Sequence, residues 1–323
     1  MSNELRSYYI KIFKTSLRRL KFNFKNFGVK VAVMNFLGEM AYFKKFKDFR
    51  ISKYFLRKQE EIVCNALEER FSDLVEEYKN KKVEIGENSK IIWFFRWEGI
   101  REDNVVVKKS YESIKKHAGD YKVIVVTEEN YLDYVDLPEK IINKVNEGRI
   151  TIPKLVDILK AKFLNTYGGI WPDTTMLFFD DVFDEFDDIV FNSHTGGPDW
   201  KWGTYFLGGK PNKLYAFLYD FYSQYHLEYE EVIDYFIVDH GFRIAYKNFE
   251  ECREYIDNVT LYNPGIFYFL EHFSETYDKE EFDRVCREYK FFKISDKPSV
   301  NAKEYDNDGN LTNYGYFKYK LKF

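Results

Sequence analysis

Apolar residues near the start of the chain recur at helical spacing: Ile10, Phe13, Leu17, Leu20 and Phe24, with Lys11, Lys14, Arg18 and Lys21 beside them. This pattern predicts an amphipathic helix with a basic flank. A second charged amphipathic helix is expected over 52–80, and "KKVEIGENSK" (81–90) reads as a polar link. The expected organisation is a basic helical extension over 1–85 and a second domain over 86–323. Beyond the link the period changes. "KIIWFFRW" (90–97) is a short apolar run between polar stretches, which predicts a buried strand, and "YKVIVVTEEN" (121–130) predicts another. Helices are expected over 104–117, 138–146 and 150–166. The last has Ile152, Leu155, Ile158, Leu159 and Phe163 as its core stripe and stops at Gly168 and Gly169. "MLFF" and "DIVFNS" predict two further strands. From Pro211 the pattern is mainly helical (211–225, 231–246, 264–273, 279–290), followed by a strand at "FFKI" and a turn at "NDGN". Strands alternating with helices predict an α/β fold with parallel pairing. Ligands of such sheets sit outside the carboxyl ends of the strands, so the loops after the first two strands become walls of a candidate site.

Charge adds an asymmetry. The net charge is −4, yet the first 60 residues hold 15 Lys and Arg against 4 Asp and Glu, and the remainder holds 34 against 49. An acidic body argues against nucleic acid as the main partner, because phosphate binding needs a basic face. A basic leader on an acidic body suits an anionic membrane surface; an ordinary packed helix with a solvated basic face fits equally well. Cys64, Cys252 and Cys286 are widely spaced and odd in number, which predicts reduced, mostly buried thiols of a cytosolic protein. No signal-peptide pattern or membrane span is expected, since the most apolar stretch, "VAVMNFLGEMAYF", is too short and carries Glu39. Aromatics make up 20% of the residues; they serve either as core filling or as platforms for sugar or base rings.

The chain contains no P-loop, GxSxG, HExxH or GxGxxG pattern. What remains is "VDILKAKFLNTYGGIWPDTTM". A helix bearing "DILK", then a tyrosine, "GGI", an aromatic and a "DxT" triplet resembles the capsular polysaccharide synthesis glycosyltransferases, relatives of the family 32 sugar-nucleotide transferases with their DxD motif. "KIIWFFRWEG" resembles that family's opening strand, "VTEENYLDYVDLPEKI" the segment after its second strand, and "DYFIVDH" its aromatic helix segment. The matching pieces run over about 89–241. The resemblance implies a GT-A-type fold, a Rossmann-like mixed sheet flanked by helices, here with the basic N-terminal extension and a helical C-terminal part. It implies a retaining, metal-dependent hexosyltransferase that binds a nucleotide diphosphate sugar, a UDP-sugar, with Mn²⁺ or Mg²⁺. A hard cation on carboxylate oxygen would neutralise the leaving diphosphate.

The same resemblance implies the site. Asp173 matches the first acid of the motif as a metal and ribose contact, or else is a turn cap, and Thr175 stands where many relatives have the second acid. Asp157 matches the helix acid facing the donor, with Lys160 where the family often has Arg. Trp93, Phe95 and Arg96 end the first strand as base and phosphate contacts, with core packing as the alternative for Trp93. Gly168 and Gly169 would clear room for the nucleotide, and Pro172 would preset Asp173. Asp234 and Asp239 are catalytic candidates and His240 a further metal ligand, because carboxylates and imidazole serve as acid, base or ligand near neutral pH. Trp200 and Trp202, in a Gly- and Trp-rich stretch, would pack on the acceptor sugar. The expected function is transfer of a sugar to a growing, lipid-linked capsular or other surface polysaccharide of a bacterium. The protein would work in the cytoplasm, peripheral at the inner face of the cell membrane. The alternative is a non-catalytic sugar-nucleotide-binding or scaffold subunit of the same machinery.

Overall fold

The computed structural model describes residues 3–41, 50–195, 201–296 and 302–323. The chain forms two compact units, each assembled from separated segments. One comprises residues 1–82, 139–151 and 217–250; the other comprises 83–138, 152–216 and 251–323.

Helices build the first unit. The N-terminal helix runs Asn3–Ala41 and bends at Gly28, whose φ of 85° and ψ of 169° leave the helical region. The bend returns the second half toward the first, so that Phe13 and Phe36 have ring centroids 6.2 Å apart and Arg19 pairs with Glu39 at 2.7 Å. The helices Arg50–Arg70 and Ser72–Asn80 bury Val63, Leu67, Phe71, Leu74 and Tyr78, the inward face of the amphipathic pattern. Polar side chains then fix the packing. Asn23 and Asn35, both fully buried, each donate a side-chain N–H to the Ile233 carbonyl, at 2.9 and 3.0 Å. The outward face is different in kind. Ile10, Phe13, Leu17 and Phe24 are exposed, Phe24 by 64%. At 100° per residue these four share one stripe, and exposed Lys14, Arg18, Lys21 and Lys25 form the stripe beside it.

The second unit holds the sheet. β1 (Ile91–Phe95), β2 (Lys122–Val126), β3 (Gly169–Pro172) and β5 (Phe206–Gly209) lie in the order β2-β1-β3-β5. β1 runs parallel to β2, from Ile91 opposite Lys122 to Phe95 opposite Val126, and parallel to β3; β3 and β5 are antiparallel. β4 (Met176–Phe178) and β6 (Phe291–Lys293) form a separate antiparallel ribbon. β1 is buried on both faces. Ile92 and Phe94 join Val107, Ile114, Ile170 and Phe206 in one core, while Trp93 and Phe95 pack with Phe163 and Trp171. A parallel strand covered on both sides needs such an unbroken apolar run.

The α/β class with parallel pairing agrees with the sequence pattern, but several elements differ. "DIVFNS" is not a strand: Asp188 sits at φ 56° and only Asn192 bridges to Gly208. The helix expected from 231 begins at Ile237. Before it, the Asp234 carboxylate accepts the Phe236 N–H at 2.8 Å, and the Ile233 N–H donates to the Tyr225 hydroxyl at 2.7 Å, so non-helical contacts satisfy this backbone. The helix expected over 264–273 is confined to Tyr268–His272. The apolar pattern predicts no strand at β3 or β5, because each has only four residues and contains glycine or proline. Cys64, Cys252 and Cys286 are free and buried as expected. No helix among the described residues is long and apolar enough to cross a membrane.

Candidate functional site

The strand order decides where a ligand fits. β2 and β3 flank β1 on opposite sides, so the strand order switches at β1, and open α/β sheets bind ligands outside the carboxyl edge at such a point. Arg96 is the first residue past the end of β1, and Asp173 the first past the end of β3. The sequence pattern thus leads two of its candidates to neighbouring positions on one edge.

Asp173 is held firmly. Its backbone N–H donates to the Tyr205 carbonyl at 2.8 Å. Its carboxylate meets two ammonium groups: Lys160 Nζ lies 3.2 Å from Oδ1 and Lys293 Nζ lies 3.0 Å from Oδ2. Lys160 comes from the helix Ile152–Tyr167 and also donates to the Thr204 carbonyl at 2.6 Å. Lys293, the last residue of β6, also hydrogen-bonds the Thr175 hydroxyl. Burial pushes the Asp173 carboxyl upward, but the two lysines outweigh it and hold it below the ordinary carboxylate value. Asp173 therefore stays ionised at neutral pH and is a weak base. Asp157 lies one turn before Lys160 on the same helix, half-buried. The Tyr205 ring lies 5.6 Å from the Lys293 ammonium, and its hydroxyl is 2.8 Å from His194 Nε2. Burial lowers His194 to about 4, so it is neutral at physiological pH.

Other candidates have structural duties. Trp93 is fully buried, and its Nε1–H donates to the Gly168 carbonyl at 3.0 Å. Phe95 is buried against Trp171. Gly168 and Gly169 adopt φ of 66° and 88°, and a Cβ on them would come within 2.6 Å of the Gly209 carbonyl oxygen and 2.4 Å of the Ile91 carbonyl oxygen. Their lack of a side chain is needed for adjacent strands to close on them. Trp202 is half-buried just before β5, and Trp200 lies outside the described residues.

Arg96 lines a polar cleft of about 460 Å³ together with Arg101, Asn104, Val106, Asp296 and Lys318. It is 3.2 Å from Glu98 and 3.6 Å from Asp296. The floor of the cleft is the start of the helix Val105–His117, capped where the Asn104 side chain accepts the Val107 N–H at 3.1 Å.

Asp234, Asp239 and His240 belong to the helical unit. His240 is fully buried, with Nε2 2.8 Å from Asp234 Oδ2. Burial alone would lower the imidazole, but the Asp234 charge prevails and raises it to about 9. The Asp234 carboxylate is further engaged by the Gln59 amide at 3.4 Å. Asp239 is half-buried on the helix Ile237–Asn248.

The metal implied by the resemblance meets a cation-rich setting. Both Asp173 oxygens face lysine ammonium groups, and Thr175 is bonded to one of them. No group of three or more His, Cys, Asp or Glu able to hold a metal occurs among the described residues. A divalent cation placed about 4 Å from one ammonium would meet a repulsion of about 8 kcal/mol at an effective dielectric constant of about 20. As arranged, this donor set does not fit a divalent cation. Lys293, the residue responsible, carries little sequence signal. It stands 118 residues from Thr175 in chain order, and only its charge within the apolar "FFKI" marks it.

A family model of capsular polysaccharide synthesis proteins matches residues 43–311, and the chain belongs to that family. No curated protein matches the chain.

Proposed function

We propose that this member of the capsular polysaccharide synthesis family is a glycosyltransferase that moves a sugar from a nucleotide diphosphate sugar, a UDP-sugar, to a growing lipid-linked saccharide. Family membership supports the polysaccharide role. The observation that carries the donor site is the placement of Arg96 and Asp173 one residue beyond the ends of adjacent parallel strands, at the edge where such sheets bind ligands. The cleft beside Arg96 would take a nucleotide if Arg96 and Arg101 exchange their present partners, Glu98 and Asp296 for the first and Asp103 for the second, for phosphate oxygens.

In the reaction the bond from the anomeric carbon to the β-phosphate oxygen breaks and its electron pair leaves with the nucleoside diphosphate. The acceptor hydroxyl oxygen bonds that carbon and its proton is released. Charge therefore grows on the leaving diphosphate, and fixed cations near it lower the barrier. Asp173, ionised and weakly basic, fits an orienting role better than that of proton acceptor. The basic apolar stripe of the N-terminal helix would rest on an anionic membrane, bringing the enzyme to a lipid-linked acceptor at the inner face of the cell membrane.

A thermal-shift screen of the full chain against sugar nucleotides tests the donor site. At least one UDP-sugar should raise the midpoint with concentration, and Asp173→Asn should remove the effect. A shift that survives Asp173→Asn would place the donor elsewhere. One observation favours a second reading, a non-catalytic donor-binding subunit: Thr175 offers a neutral hydroxyl where a second acid could stand. Such a subunit would bind the donor and never release free UDP from it.

A further inference from the structure

The metal-dependent chemistry that the motif suggests and the lysines that surround it point in opposite directions. Asp173 is flanked by two ammonium groups, but they are not equivalent. The Lys160 side chain is 8% exposed and spends a further hydrogen bond on the Thr204 carbonyl. The Lys293 side chain is 19% exposed and is oriented by Asp173 on one side and the Thr175 hydroxyl on the other, with its ammonium 5.6 Å from the centre of the Tyr205 ring. An ammonium has three donors, and these contacts use two. Immediately beyond Lys293 the Ile294 N–H donates to the Thr175 carbonyl at 2.8 Å, and the chain continues to Asp296, the partner of Arg96. Lys293 is thus fixed in position, only partly neutralised, and joined through three residues of chain to the wall of the Arg96 cleft.

We propose that Lys293 does the work of a divalent cation: its ammonium binds the donor diphosphate and neutralises the charge left on the nucleoside diphosphate as the sugar–phosphate bond breaks. The "DxT" motif then serves as the cradle of this lysine. Asp173 and Thr175 are its orienting acceptors, which explains how a hydroxyl suffices at the second position. A compact point charge on a flexible stem suits phosphate, as lysine does wherever it binds phosphate without a bidentate fork.

This inference rests on the glycosyltransferase reading, and the test separates the two. The full chain is titrated calorimetrically with UDP, GDP and ADP, once in EDTA and once in Mn²⁺. The wild type should bind one of them with affinities that agree within about threefold in the two buffers. Lys293→Gln should weaken that binding by about thirtyfold or more, and Lys293→Arg should recover most of it, with unfolding midpoints of folded variants near the wild type. Binding by the wild type only in Mn²⁺, or unchanged binding by Lys293→Gln, would overturn the inference and leave the transferase reading standing. Absence of binding by every nucleotide in both buffers would overturn both. If Lys293→Gln does not fold, the comparison of the two wild-type buffers still decides.

Discussion

At the scale of single residues, the two ionic clusters behave oppositely with pH. His240 in the helical unit is held protonated by Asp234, its pKa raised to about 9. Its contribution to stability is complete below the ordinary imidazole value and is lost as the pH rises through about 9. The wild type should therefore lose stability between about pH 6.5 and 9, and Asp234→Asn should be less stable at neutral pH by about 3 kcal/mol with that decline flattened. Chemical denaturation at a series of pH values reads both effects. Asp173 is the reverse case, lowered by Lys160 and Lys293. Its contribution is present above the ordinary carboxylate value and fades as the pH falls toward the lowered one. Asp173→Asn leaves buried Lys160 without its counter-charge, so it should cost about 2 kcal/mol as well as the donor binding proposed above. A variant of unchanged stability would show that the lysines do not depend on this carboxylate.

At the scale of elements, the glycine pair and the N-terminal helix each lead to a prediction. Gly168→Ala places a Cβ at positive φ and 2.6 Å from the Gly209 carbonyl oxygen. The left-handed backbone alone costs about 1–2 kcal/mol, so a clear drop in the unfolding midpoint is expected; an unchanged midpoint would mean that β3 and β5 are held less closely than described. The N-terminal helix buries Asn23 and Asn35 within its unit, so removing it would disrupt folding and say nothing about membranes. Ile10→Ser, Leu17→Ser and Phe24→Ser together change only exposed positions. Inserted side chains contribute about 1 kcal/mol each at half burial, so the triple variant should bind anionic vesicles at least about tenfold more weakly with its fold intact. Equal vesicle binding would remove the membrane from the account. The elements legible from sequence were those with a strong period or an unbroken apolar run, β1, β2 and the helix Ile152–Tyr167. β3 and β5 were not, since four-residue strands with glycine and proline look like turns. The start of the helix at Ile237 was also hidden, because Asp234 satisfies by side chain the backbone that the apolar pattern would have made helical.

At the scale of the whole molecule, one unit carries the exposed basic stripe and the Asp234–His240 pair, and the other carries the sheet edge with Arg96, Asp173 and their lysines. The charge asymmetry and the end of β1 at Arg96 could be read from the sequence, because both depend on local pattern, whereas Asp173 was marked by the family resemblance and its place at the end of β3 only by the structure. Lys293 could not, because tertiary folding alone brings β6 beside the Asp173 loop. Membership of the capsular polysaccharide synthesis family suggests a role in capsule biosynthesis, and the chemistry proposed for it stands or falls with turnover at that edge. The most direct measurement is release of free nucleoside diphosphate from a panel of UDP-sugars by the full chain, compared with Asp173→Asn under the same conditions. Release from at least one donor, reduced by about a hundredfold or more in the variant, is the predicted result. No release from any donor, or equal release by the variant, would contradict the account.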